Sequence, residues 1–349
     1  MKVMQLEYKN WLSDLKSRIR SVQAKAAVAA NTTLIAFYWE LGKMIAEKEH
    51  AWGDKLIERL AKDLKEEFPD LNGFSSSNLK YCKRFYLFYQ MPIGQQPVDQ
   101  LQPPNTIIQH LATKIPWGHN ILIFSKSKDV QEAYFYISAT LENGWSRDIL
   151  ALQLKSQLYA RQGKAISNFK ETLPDPLSDL AQQTLKDPYI FDFLTMTKPY
   201  HEKDIERQLV THITKFLLEL GKGFAFVGQQ YHLQVGETDY YIDLLFYHIK
   251  LKCYVVIELK NTKFIPEYAG KLNFYLSAVD SLVKSETELP TIGILLCRDK
   301  NNFETEFALR DINKPMGVSE FQLTEILPDE LKSSLPSIEE IENELKKLT

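Results

Sequence analysis

The chain has 349 residues, 44% hydrophobic and 25% charged, with a formal net charge of −3. This is the balance of a soluble globular protein with room for two or three domains. Residues 1–19 lack the apolar core of a signal peptide, and no apolar run nears the roughly 20 residues of a membrane span, so a cytoplasmic protein without membrane partners is expected.

Charge is unevenly spread. Residues 1–172 hold 23 basic and 17 acidic side chains (+6), and the remainder 19 and 28 (−9), which hints that the first part meets a polyanion. Residues 1–50 read as helix, with Leu12, Leu15, Ile19, Val22, Ala26 and Ala29 at helical spacing. Trp52-Gly53 marks a break, after which Asp54 can cap a helix carrying Leu56, Ile57, Leu60, Ala61 and Leu64 on one face. That helix ends near Phe68-Pro69, and Ser75 caps the next. The pair, joined by a short turn containing Gly73, suggests a helix-turn-helix-like element. Asn78, Lys80, Lys83 and Arg84 are expected to point outward, as nucleic-acid-binding residues would, though any helix with a solvated basic face looks the same.

Residues 91–116, rich in Pro and Gln, read as a loop. Helical pattern resumes over 120–124, 129–143 and 146–161, the last capped by Ser146. Arg147, Tyr159 and Arg161 are further candidate nucleic-acid contacts, whereas Trp145 fits a core better. The expected division is a helical domain over 1–171, a proline-containing linker over 172–200 with a short helix at 177–185, an α/β domain over 201–325 and a tail over 326–349. In the α/β domain an amphipathic helix over 204–220 precedes three β-rich runs, a helix over about 266–283 and an apolar strand at 291–297. The order α-β-β-β-α-β predicts a mixed sheet, closed by a last strand, GVSEFQL.

The chemistry concentrates in two of these strands. Side chains alternate along a strand, so in CYVVIELK Glu258 and Lys260 share a face at the end of an apolar run. Asp243 sits among Ile242, Leu244 and Leu245, where an unpartnered carboxylate is costly to bury. The connection 248–252 makes the strands a hairpin, and antiparallel pairing can set Asp243 across from Glu258. Two carboxylates so close repel, and a hard divalent cation removes that cost. Asp243, Glu258 and the Leu259 carbonyl are the candidate ligands of Mg²⁺, or of Mn²⁺. Lys260 is the candidate for stabilising charge on a phosphate. A buried ion pair of Lys260 with either acid is the structural alternative. Cys82, Cys253 and Cys297 have no zinc spacing, and GxxxxGK(S/T), GxGxxG after a strand, GxSxG and HExxH are absent. His248 follows the Asp243 strand and fits a loop position.

On these residues, residues 204–323 resemble the PD-(D/E)xK nuclease superfamily. With WGDKLIERLAKDLKEEFP, GFSSSNLKYCKRFY, NGWSRDIL, LAQQTLKDPYIFDFL, YIDLLFYH, YVVIELK and PEYAGKLNFYLSAVD, the chain is more closely similar to the YhcG family of bacterial proteins regarded as nucleases. The resemblance implies a restriction-endonuclease-like fold and a further acidic residue on the preceding helix, matched by Glu206. It also implies a Gln-x-x-x-Tyr element, which here reads Lys271 to Tyr275, making Lys271 a candidate phosphate contact. The amino-terminal part would target nucleic acid. The expected function is a metal-dependent endonuclease acting on double-stranded DNA, in defence against foreign DNA or in DNA repair. A non-cleaving nucleic-acid-binding scaffold and a homodimeric branched-DNA resolvase remain alternatives.

Overall fold

The computed structural model describes residues 2–52, 55–90, 105–194 and 201–323. The chain divides into two compact units, Met1–Tyr159 and Ala160–Thr349. The expected cap Asp54 and the tail over 326–349 lie outside the described residues.

The first unit is helical: α1 (Lys2–Trp52), α2 (Leu56–Glu67), α3 (Ser76–Gln90), α4 (Asn105–Ala112), α5 (Trp117–Lys126), α6 (Val130–Asn143) and α7 (Arg147–Lys155), followed by α8 (Leu158–Arg161). The second half of α1 buries Ile35, Tyr38, Leu41 and Ile45 against Leu79, Cys82, Phe85 and Tyr89 of α3. The contact is close because Gly42 has no side chain: a Cβ there would lie 2.1 Å from the Cys82 carbonyl oxygen. Earlier on α1, the stripe Leu15, Ile19 and Val22 is exposed. Ser75 caps α3 by accepting from Asn78 N–H (3.2 Å), and Ser146 caps α7 by accepting from Ile149 N–H (3.3 Å). Two expectations change. α4 is a helix inside the expected loop 91–116, of which 91–104 lie outside the described residues. The single helix expected over 146–161 breaks at Gln157, whose φ is +51°.

The second unit comprises β1 (Ile166–Ser167), α9 (Phe169–Thr172), α10 (Leu177–Thr184), β2 (Tyr189–Phe191), α11 (Glu202–Thr211), α12 (Ile213–Leu220), β3 (Phe224–Val235), β4 (Thr238–His248), β5 (Cys253–Lys263), α13 (Pro266–Leu282), β6 (Ile292–Asp299), α14 (Asn302–Leu309) and β7 (Met316–Leu323). The sheet order is β1-β7-β6-β5-β4-β3, with β2 also paired to β7. β3, β4 and β5 are antiparallel neighbours, while β5, β6 and β7 run parallel, which gives the expected mixed sheet. Alternate residues of β5 go to opposite faces. Val255, Ile257 and Leu259 pack with Ile205, Leu209, Phe216 and Leu220 of α11 and α12, whereas Val256 packs with Leu272, Tyr275 and Val279 of α13. Helices on both faces explain why the central strands read as continuous apolar runs. A Cβ on Gly293 of β6 would meet Leu272 at 2.8 Å, so α13 lies tightly on the sheet.

The linker expected over 172–200 is part of this core in its described portion. Leu173, Ala181, Leu185, Tyr189 and Phe191 are buried with α11 and α12 on one sheet face, and β2 extends the sheet by pairing with β7. Frequent prolines cut the segment into pieces too short for any hydrophobic period to show. The helix expected over 204–220 starts at Glu202 and divides into α11 and α12 at His212.

Candidate active site

Antiparallel pairing of β4 with β5 runs from His248↔Cys253 to Leu244↔Ile257. The same register, one residue further, sets Asp243 opposite Glu258. Here side chains take over from the backbone ladder. Asp243 N–H donates to Glu258 Oε1 (3.3 Å), and Leu259 N–H donates to Asp243 Oδ2 (3.0 Å). Each carboxylate thus satisfies a backbone donor of the other's strand, and both are fixed in mid-strand, where the β4–β5 backbone ladder stops. Glu258 is 1% exposed. Burial, then the charge of Asp243, pushes its carboxyl up to about 7 against the opposing pull of Lys271 and Lys260.

Three flanking elements complete the cluster. From α13, Lys271 Nζ donates to Glu258 Oε2 (3.0 Å) and sits 5.0 Å from the ring centroid of Tyr275, one turn on. Burial lowers the Lys271 pKa, but Glu258 more than reverses this and the net shift is upward. From α11, Glu202 Oε2 accepts from Lys260 Nζ (3.0 Å) and its Oε1 accepts from Asn261 N–H (3.3 Å). Lys260 Nζ also donates to the Leu259 carbonyl (2.7 Å) and lies 5.5 Å from the Tyr268 ring centroid. Glu206, one helical turn after Glu202, is 3% exposed. Its carboxyl is raised by burial and by Asp243, against hydrogen bonds from Gln229 and Gln230. Gln230, on β3 at φ +46°, donates to Glu206 Oε2 at 2.9 Å and reaches Asp243 Oδ1 at 3.5 Å.

The structure therefore brings together Asp243, Glu258, Leu259, Lys260, Glu206, Lys271 and Tyr275. Sequence reasoning missed Glu202, Gln229 and Gln230. The only trace of Glu202 was its place one turn before Glu206. The donor set suits a hard divalent cation: two fixed carboxylates, a backbone carbonyl, and Glu206 Oε1, a buried oxygen with no hydrogen-bond partner among the described residues. Among the described residues no three His, Cys, Asp or Glu side chains gather closely enough to cage an ion by themselves. An ion here would also take the Leu259 carbonyl and water, which Mg²⁺ readily retains.

The other candidates fall elsewhere. Asn78 turns inward instead of outward: its Nδ2 donates to Gly73 O (2.6 Å) and its Oδ1 accepts from Trp117 Nε1 (2.7 Å). The partner lies 39 residues away, beyond any local pattern. Lys80 and Arg84 are exposed and Lys83 half-buried on α3. Lys80 pairs with Glu58 (2.9 Å), and Arg84 lies over the Phe124 ring. Arg161 is buried in an ion pair with Glu219 (2.6 Å) and is no surface contact; Arg147 and Tyr159 are exposed. His248 ends β4 fully buried, not in a loop, with burial lowering its pKa to about 4.

A mixed sheet covered by helices on both faces, with an acidic pair and a lysine on adjacent antiparallel strands, defines the restriction-endonuclease-like fold of PDDEXK nucleases, which generally use divalent metal ions. Residues 182–336 match the YhcG PDDEXK nuclease domain, and residues 14–161 match the DUF1016 N-terminal domain. A relative from Escherichia coli (strain K12), "Putative nuclease YhcG", is 33% identical over 339 residues, covering 89% of this chain and 88% of its own. The chain belongs to the YhcG family of PDDEXK nucleases. No described helix is long and apolar enough to cross a membrane. The crystal structure of a repair endonuclease from Pyrococcus abyssi aligns over 37% of this chain and 50% of that chain, at 14% identity and a TM-score of 0.25, too slight a likeness to define anything further.

Proposed function

We propose that the chain is a Mg²⁺-dependent endonuclease that hydrolyses phosphodiester bonds in double-stranded DNA, with Mn²⁺ able to substitute, and that it serves defence against foreign DNA or DNA repair. The observation that carries the reading is the Asp243–Glu258 pair, two carboxylates held together by each other's strand. Two carboxylates so close repel, and a divalent cation beside them removes that cost more fully than the single ammonium of Lys271. Asp243, Glu258 and the Leu259 carbonyl would hold the ion, which when bound acidifies a water and neutralises the phosphate. Lys260, anchored by Glu202, presents its ammonium to a phosphate oxygen and stabilises charge that develops there. Glu206, with one carboxylate oxygen unpartnered, would help to hold the ion or a water beside it.

Duplex DNA is favoured by the exposed Lys80 and Arg84 on α3. Their existing contacts are surface pairs of small worth, easily exchanged for phosphates. Cutting both strands needs two active sites, so a homodimer is the assembly we favour, and the exposed Leu15, Ile19 and Val22 stripe of α1 is open to it.

The test is incubation of supercoiled plasmid with the full chain and Mg²⁺. Wild type converts it to nicked and linear forms; Asp243→Ala and Lys260→Ala lose at least about a hundredfold in rate while binding DNA equally. Wild type that cleaves no DNA with any divalent ion contradicts the reading and leaves the binding scaffold in its place.

A further inference from the structure

Lys271 engages the outer oxygen of the Glu258 carboxylate. Its Nζ lies 3.0 Å from Glu258 Oε2, and that carboxylate is buried while the lysine is 44% exposed at its side chain. The other Glu258 oxygen is taken by Asp243 N–H. The charge of Glu258 is thus balanced from the open side of the site by an ammonium on a flexible stem. Lys260 differs: its ammonium is held by Glu202 and the Leu259 carbonyl, away from the Glu258 carboxylate.

We infer that Lys271 is the resident counter-ion of the Asp243–Glu258 pair and competes with the divalent ion for Glu258 Oε2. The inference rests on the ion site proposed above. In the ion-free protein Lys271 neutralises the buried carboxylate and keeps Glu258 oriented between β5 and α13. A divalent cation held by Glu258 would supply twice the charge of the ammonium and repel it. Lys271, on its exposed stem, would then be free to meet a substrate phosphate. The resemblance-based pattern has Gln at this position; with Lys, this chain gives up ion affinity to balance the charge of buried Glu258.

Two measurements on the full chain test this. In calorimetric titration with Mn²⁺, Lys271→Gln binds about tenfold more tightly than wild type, because one repelling charge at close range is gone. Lys271→Arg keeps the charge and shows no gain, and neither does Lys263→Gln, a surface lysine paired with Glu304. In wild type itself, acetic anhydride labelling read by mass spectrometry shows Lys271 modified faster once Mn²⁺ saturates the site, while Lys263 is unchanged. Lys271→Gln binding no more tightly than wild type, or Lys271 labelling that stays level or falls with Mn²⁺, overturns the inference and leaves the ion site intact. Wild type that binds no Mn²⁺ overturns the site reading and the inference together.

Discussion

Glu258 is raised to about 7 from an ordinary 4.5 by burial and by Asp243. In the ion-free fold it therefore binds a proton more tightly than in the unfolded chain. Its contribution to stability is full below about pH 4.5 and is lost as pH rises through about 7. His248, lowered to about 4 from 6.5 by burial, has the opposite sign: its contribution is present above about 6.5 and is lost as pH falls toward 4. The two overlap, so the informative quantity is the difference between wild type and Glu258→Gln, in which His248 cancels. With chelator present, Glu258→Gln should melt higher than wild type at about pH 8, by several degrees, and the gap should close by about pH 5. A gap independent of pH would contradict the assignment. Glu202 makes a second prediction at this scale. Glu202→Gln loosens Lys260 without touching the carboxylate pair, so cleavage should fall about tenfold or more while Mn²⁺ affinity stays as in wild type. Loss of ion affinity in that variant would make Glu202 a ligand instead.

Among the elements, β4 and β5 were the most legible, and for a physical reason. Strand alternation is local, so the sequence alone placed Glu258 and Lys260 on one face, and a short connection fixed the hairpin that brings Asp243 opposite Glu258. Glu202 and Gln230 were not legible. The first reaches the site from α11 across 58 residues. The second does so through a left-handed backbone position in β3 that nothing in its own sequence demands. Asn78 failed for the same kind of reason, since Trp117 recruits it from another helix. Packing between elements gives a third prediction. Gly42→Ala would drive a Cβ into the Cys82 carbonyl, forcing α1 and α3 apart at a cost of about 1–3 kcal/mol. The amino-terminal unit should melt at lower temperature, read by circular dichroism; an unchanged melting curve would mean that α1 and α3 are not so closely packed.

At the scale of the whole molecule, the sequence separated a helical part from an α/β part but misplaced the join. Residues 160–194 belong to the second unit through burial and strand pairing, and such non-local contacts leave no periodic mark. Buried charges hold this segment down as well. Arg161 pairs with Glu219 and donates to the Pro188 carbonyl (2.8 Å), and Lys186 reaches the Glu219 carbonyl. Arg161→Met would leave a buried carboxylate short of a partner, at a cost of about 3–5 kcal/mol. It should destabilise the nuclease domain to chemical denaturation more than Lys263→Met does. Equal midpoints for the two variants would show the segment to be the linker first expected.

The most direct measurement is anomalous diffraction from crystals of the full chain soaked in Mn²⁺. One ion bound by the Asp243 and Glu258 carboxylates and the Leu259 carbonyl, with Lys271 moved off Glu258, is the predicted result. An active enzyme whose ion lies away from both carboxylates would contradict it.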